Sequence, residues 1–314
     1  MRVVSLLASA TEIVCALGAG EMLVGRSHEC DNPEWVRRLP ACSEPAFDVS
    51  VSSGEIDREV RRRIRAGEPL YHVHGELIRE LQADLVMTQS HCEVCAVTPG
   101  DVDRSCRHGA RQLSLSAISL EEIWGSMLRI AQELGLDERG KALVGSEQQR
   151  LNKVRNKAAR FRRPTVVMLE WTDPLFAMGN WGPELVDIAN GDVLLGEKGE
   201  YSAAIPAEQL READPEYLIV APCGFGLERS LGEQSVLQRY PWWQELRAVQ
   251  NANVAFADGN LFFNRSGRTV SQTAEIIAEI LHGVSFGEKT EEVHWRWSEA
   301  NVAQALHRMS GSRT

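Results

Sequence analysis

Two kinds of apolar pattern alternate along most of this chain. Short continuous apolar runs read as buried strands, and longer stretches with apolar residues three and four apart read as helices with one buried face. Val3–Leu7 is a predicted strand. Ser9-Ala10-Thr11-Glu12 is predicted to start a helix, with Ser9 as N-cap and Glu12 closing a capping box. Ile13, Val14, Ala16 and Leu17 give that helix its apolar face, and Gly18 or Gly20 ends it. Leu23–Gly25 and Leu85–Thr88 are further predicted strands, Glu55–Ala66 is a charged helix, and His72–Leu81 begins another. Helices follow over Leu120–Leu134 and Glu138–Phe161. The last of these, about 24 residues at roughly 1.5 Å each, would span on the order of 36 Å. Leu151, Val154, Ala158 and Phe161 form its predicted buried stripe, and Pro164 stops it.

A second series then begins. Thr165–Leu169, Tyr217–Ala221 and Val254–Ala257 are predicted strands, and Pro183–Ala189, Ala207–Glu212 and Val270–Leu281 predicted helices. The predicted fold class is α/β, with two Rossmann-like lobes joined by one long backbone helix and a ligand cleft between the lobes. The expected divisions are an N-terminal lobe over 1–137, a connecting helix over 138–163, a C-terminal lobe over 164–284 and a tail over 285–314. The tail is polar apart from Trp295 and Trp297 and is expected to be a packed arm or partly disordered.

Charge narrows the function. A net charge of −10 argues against nucleic acid as the main partner, because phosphate binding needs a basic face. No stretch approaches the roughly 20 apolar residues of a membrane span, so membrane insertion is not expected. The opening run Met1–Leu7 is too short for a signal peptide, which predicts a cytoplasmic protein. Seven cysteines is an odd number, and in that compartment they are expected to stay reduced. We read no nucleotide-binding loop and no nucleophile elbow, and Ser9, Ser27 and Ser90 sit in no triad pattern. The expected partner is a small molecule.

Four cysteines lie just beyond predicted strands: Cys30, Cys92, Cys95 and Cys223. In an open parallel sheet, ligands bind outside the carboxyl ends of the strands. Four thiolates suit zinc or an iron-sulfur cluster, and His28 or His91 could substitute for one of them. The alternative is that the cysteines are separate small apolar residues. Cys42 and Cys106 fall in predicted loops, and Cys15 reads as core.

The opening Val4-Ser5-Leu6-Leu7-Ala8-Ser9-Ala10-Thr11-Glu12-Ile13, with Ala16-Leu17-Gly18-Ala19-Gly20 and Val24-Gly25 after it, carries a resemblance. So do Asp214-Pro215-Glu216-Tyr217-Leu218-Ile219-Val220, Ala248-Val249 and Phe256-Ala257-Asp258-Gly259-Asn260. Over about residues 2–282 the chain resembles the helical-backbone (class III) substrate-binding proteins of ABC importers, nearest the cobalamin-binding, vitamin B12-importer type. Other relatives that share the fold bind heme, siderophores or metal ions. Exported members carry a leader, and a cytoplasmic subgroup is similar at Ser27-His28-Glu29-Cys30-Asp31, at the Cys92-x-x-Cys95 segment and at Asn180-Trp181-Gly182-Pro183-Glu184-Leu185. The resemblance implies the fold and a corrinoid, cobalamin itself or a similar metal chelate, as ligand. A cytoplasmic binder would store, deliver or process that ligand. The other reading is a metal- or iron-sulfur-dependent enzyme or redox protein using the cysteines.

The remaining candidate ligand-binding residues follow the strand ends. Ser9 and Thr11 follow the first predicted strand, and His28, Glu29 and Asp31 the second. Ser90 follows the third. Glu170, Trp171, Asn180, Trp181 and Phe225 belong to the second series, where the tryptophans could wall a flat ligand or simply pack. Asn260, Arg265 and Arg268 follow the last strand, and arginines there could hold carboxylate or phosphate groups. Relatives often have Arg-Pro-Gly-Pro-Arg at that point, whereas this chain has Arg265-Ser266-Gly267-Arg268.

Overall fold

The computed structural model describes residues 1–90, 96–105, 109–286, 291 and 293–298. The chain divides into two compact units, Met1–Glu147 with Arg265–Arg268, and Gln148–Asn264 with Thr269–Thr314. The division falls inside one helix, Asp137–Ala158. That helix ends before Phe161, whose ring is exposed and stacks on His282 at 5.0 Å. Leu151, Val154 and Ala158 of the predicted stripe are buried. No helix among the described residues is long and apolar enough to cross a membrane.

The first unit is built on strands β1 (Val3–Ser5), β2 (Leu23–Arg26), β5 (Leu85–Gln89) and β6 (Arg111–Leu115), in the order β2-β1-β5-β6 and all parallel. A small antiparallel pair joins β3 (Ser43–Pro45) to β4 (Tyr71–Val73). His72 therefore lies in a strand opposite Glu44, not at a helix start, and the helix there begins at Gly75. Val4, Leu6, Ile78, Val86, Val97 and Val102 form a core with Cys42, which lies in the loop just before β3, as expected, but is fully buried. Each such side chain contributes roughly 1.5–3 kcal/mol by leaving water.

The second unit has a mixed sheet. Its strands are β7 (Thr165–Thr172), β8 (Leu175–Ala177), β9 (Asp192–Val193), β10 (Ala203–Ala204), β11 (Tyr217–Val220), β12 (Val254–Ala257) and β13 (Trp295–Trp297). The order is β10-β8-β7-β11-β12-β13, with β9 also paired to β7. β7, β11 and β12 are parallel, and β13 runs antiparallel to β12 with Trp297 opposite Ala255. The two tail tryptophans thus belong to a packed edge strand. Trp242 and Trp243 are buried with Val167, Leu169, Leu218, Val220 and Phe256 in the core of this sheet.

Candidate functional site

In the first unit, the carboxyl ends of β1, β2, β5 and β6 deliver Ser9, the His28–Asp31 loop, Ser90 and Ser116, and the Arg265–Arg268 segment joins them. The Ala8–Ala16 helix starts differently from expectation. Leu7 is its extended N-cap, and no side chain caps it. Ser9 lies buried in the first turn, and Gly267 packs so closely that an added Cβ would stand 3.0 Å from the Ser9 Cβ.

Glu12 points to Arg265 instead of to the helix start. Its Oε1 accepts from Arg265 Nη1 at 2.6 Å and from Asn32 Nδ2 at 3.2 Å. Arg265 Nη2 donates to Asp31 Oδ1 at 2.7 Å, and Arg37 stands 3.7 Å from Asp31 Oδ2. The side chains of Glu12 and Arg265 are 2% and 5% exposed, so solvent screens this pair little. Burial pushes the Glu12 carboxyl above the ordinary range, against the pull of Arg265. Burial also works against the Arg265 charge, but Glu12 and Asp31 outweigh it and hold the guanidinium above its ordinary value. Arg265, expected to bind a ligand anion, is thus a counter-ion inside its own unit. Arg268, by contrast, is exposed.

The β2 loop holds the titratable groups. His28 Nδ1 lies 3.1 Å from Ser43 Oγ, its ring 5.4 Å from that of Tyr71, and its Nε2 4.0 Å from Glu29. Burial, with help from the nearby Arg26 charge, pushes the imidazole down to about 4. At neutral pH it is uncharged and keeps a lone pair for a metal or a donor. Burial pushes the Glu29 carboxyl up to about 7, with Arg265 opposing, although a side chain 35% exposed retains some hydration to moderate that.

These two shifts act oppositely on stability. The lowered His28 value gives stability that is present above its ordinary 6.5 and lost as pH falls toward 4. The raised Glu29 value gives stability that is present below 4.5 and lost as pH rises through 7. We expect the His28 ring protons to titrate near 4 by NMR. We also expect His28→Gln to remove up to roughly 3 kcal/mol of the stability change between pH 6.5 and 4. A His28 titration at 6 or above would contradict this environment.

Thr11 and Cys30 are interior. The Thr11 hydroxyl donates to Cys30 Sγ at 3.0 Å, Ser27 Oγ lies 3.4 Å away, and the thiol donates to the Ser5 carbonyl at 3.7 Å. Burial raises the Cys30 thiol, which makes it a poor source of thiolate. Cys92, Cys95, His91 and Cys106 lie outside the described residues. Among the described residues no three of His, Cys, Asp and Glu gather as a metal set. Ser90 is exposed, and its N–H donates to the Leu115 carbonyl at 2.9 Å.

In the second unit, Glu170 accepts from Ser202 Oγ at 2.5 Å. Ser202 in turn accepts from the Gly179 N–H at 2.9 Å and from Asn180 Nδ2 at 3.3 Å. Asn180 holds a left-handed φ of 52°, which its short amide tolerates. Trp171 is half-buried, donates Nε1–H to the Asp173 carbonyl, and meets Phe225 edge-on at 5.1 Å. The guanidinium of Arg229 sits 3.6 Å from the centre of the Phe225 ring. Trp181, expected as a second aromatic wall, is an interior side chain at 4% exposure. Cys223 is free and half-buried, and its N–H donates to the Glu170 carbonyl. The Asn260 N–H donates to the Phe225 carbonyl at 3.0 Å, and Asn264 Nδ2 bridges the carbonyls of Ala221 and Gly259.

Sequence reasoning missed Ser43, Ser202, Asn32 and Asn264, which are polar residues without a motif. It also missed the buried pair of Thr172 and Glu233. Two bare motif spacings were also missed, although the chain contains both. Gly135-x-x-x-x-Gly140-Lys141 is followed by Ala142 without the hydroxyl a phosphate loop needs, and Gly140 and Lys141 lie inside the Asp137–Ala158 helix. Gly283-Val284-Ser285-Phe286-Gly287 spaces a serine like a nucleophile elbow, but Ser285 follows a helix and not a strand.

The family described as periplasmic binding protein matches residues 79–261, more than half of the chain. Among solved structures the chain is similar to a periplasmic heme-binding protein from Pseudomonas aeruginosa, at 19% identity and a TM-score of 0.71, covering 92% of this chain and 95% of that one. It is similar to the periplasmic heme-binding protein RhuT from Roseiflexus sp. RS-1 at 22% identity, a TM-score of 0.67 and coverage of 90% and 98%. It is also similar to the periplasmic vitamin B12 binding protein BtuF of Vibrio cholerae at 19% identity, a TM-score of 0.63 and coverage of 89% and 96%. At these identities the likeness is one of fold. No curated protein matches the chain.

Proposed function

This chain belongs to the periplasmic binding protein family, and we propose that it binds a corrinoid, or a similarly large metal chelate such as heme, as its solute. The observation that carries the reading is His28. It stands at the carboxyl end of β2 as a neutral imidazole, partly exposed, the form that could offer a nitrogen lone pair to a chelated metal. The strand ends of the second unit offer a half-buried Trp171 beside Phe225 for a flat apolar face, and Glu170 with Ser202 for polar edge groups. The names of the heme- and vitamin B12-binding neighbours support the same ligand class.

A cytoplasmic location is part of this proposal. The free Cys15, Cys30, Cys42 and Cys223 fit a reducing compartment, and storage, delivery or processing of the ligand would be the role there. Fractionation of the native cells checks it, and recovery outside the cytoplasm would reject it.

Calorimetry of the purified chain with cobalamin, cobinamide and heme tests the ligand. We expect micromolar or tighter binding of at least one, and roughly tenfold weaker binding in His28→Ala, about 1.4 kcal/mol. If none binds more tightly than about millimolar, which is only about −4 kcal/mol, the reading fails.

A further inference from the structure

A cleft of about 500 Å³ opens in the second unit, away from the strand ends described above. It lies where β11 begins at Tyr217 and where the Val270–His282 helix ends. Its size falls within the range of small-molecule sites. Phe161, Tyr217 and Trp297 contribute aromatic surface. Among the described residues its acidic lining groups are Glu279 and Glu291.

Two further features make this cleft an acceptor of positive charge. The helix over Val270–His282 closes here on Gly283, and helix carboxyl ends carry a partial negative charge from their last carbonyls. His282 Nε2 donates to the Ala189 carbonyl at 2.8 Å, so a neutral ring keeps Nδ1 as an acceptor, and burial lowers its affinity for a further proton. Among the described residues, the neighbouring cations Arg162 and Lys157 are already engaged. Arg162 is held by both oxygens of Glu216 at 2.7 and 2.9 Å, and Lys157 donates to the Ser285 carbonyl at 2.5 Å and sits 4.7 Å over the Phe286 ring. Lys157 on Phe286 also demonstrates, in the same region, the contact that a bound cation would make on the cleft's rings.

We propose that this cleft binds an organic cation with a flat apolar body, an arylalkyl ammonium or guanidinium, independently of the solute site. The ring faces take the body and attract the charge, and Glu291 pairs with it.

The test uses the whole chain and calorimetry with three phenylalkyl probes of differing charge: 2-phenylethylamine, 2-phenylethanol and 3-phenylpropionate. The amine should bind roughly tenfold more tightly than the alcohol, and the anion not at all, as cation–π and ionic contacts predict. Glu291→Gln should weaken the amine about fivefold and leave the alcohol unchanged. Trp297→Leu should weaken both. Should that strand variant fail to fold, Phe161→Ala, whose ring is 43% exposed, takes its place. Equal binding of amine and alcohol, or no effect of Glu291→Gln, would overturn the proposal, as would no amine binding at about 10 mM. Saturating cobinamide should leave the amine affinity unchanged, so failure at either site is read separately.

Discussion

Replacing Arg265 with alanine should destabilise the first unit by roughly 3–5 kcal/mol, the loss found when one member of a buried ion pair is removed. Glu12 would be left buried, with Asp31 close by, and without the charge that neutralises them. Glu12→Gln should cost much less, because Asp31 still balances Arg265 and the amide oxygen still accepts from Nη1. The Arg265→Ala deficit should shrink as pH falls toward the ordinary carboxylate range. Without Arg265 the Glu12 value in the fold rises further, so the fold binds a proton more readily than the unfolded chain does. Urea unfolding of the three proteins at pH 7 and at pH 5 measures this. A loss below about 1 kcal/mol for Arg265→Ala would mean that the triad is not a buried one. The same experiment separates two roles for Arg265. A residue that holds a ligand anion would lose affinity first, whereas an internal counter-ion loses stability first.

The second large effect is expected at Gly259. A Cβ there would stand 2.2 Å from the Pro222 carbonyl oxygen and 2.6 Å from that of Ala221. Both are backbone atoms of the β11 exit and cannot rotate away. Gly259→Ala must therefore push the Gly259–Phe263 turn outward. That strains the Asn260 bond to the Phe225 carbonyl and the two bonds of Asn264. We expect a loss of roughly 3 kcal/mol, at the high end for overpacking. Gly232→Ala is the control, because an added Cβ there meets nothing within 4 Å. It should change stability by less than about 0.5 kcal/mol. Equal stability of the two variants would refute the close approach. Because the turn sits beside Cys223 and Phe225, Gly259→Ala should also weaken binding at the second unit's strand ends.

Much of this fold was readable from the chain. Continuous apolar runs located β1, β5, β11 and β12 to within two residues at their ends, because a strand buried on both faces needs apolar residues at every position. β3, β4, β6, β8, β9 and β10 were missed. β6 begins with exposed Arg111 and Gln112, so its pattern is half polar. β13 is only Trp295-Arg296-Trp297, too short to register as a period, and it is a strand because β12 offers an edge. The candidate site was less readable. The loop His28–Asp31 was found from its place after a strand. Nothing local distinguishes an exposed Trp181 from a buried one, or an arginine for a ligand from one with internal partners.

The chain by itself determined the alternation of strands and helices, since periodicity is a property of neighbours in sequence. Tertiary structure alone decided what the polar residues do. Ser9-x-x-Glu12 and Ser52-x-x-Glu55 have the same capping-box spacing. At Ser52 the box forms, with the Glu55 N–H on Ser52 Oγ and the Ser52 N–H on the Glu55 carboxylate. At Ser9 it does not, because Glu12 is taken by Arg265, 253 residues away. A capping bond contributes about 1 kcal/mol, whereas an unpaired buried charge costs roughly 3–5 kcal/mol. The distant partner therefore wins, and no window of local sequence contains it.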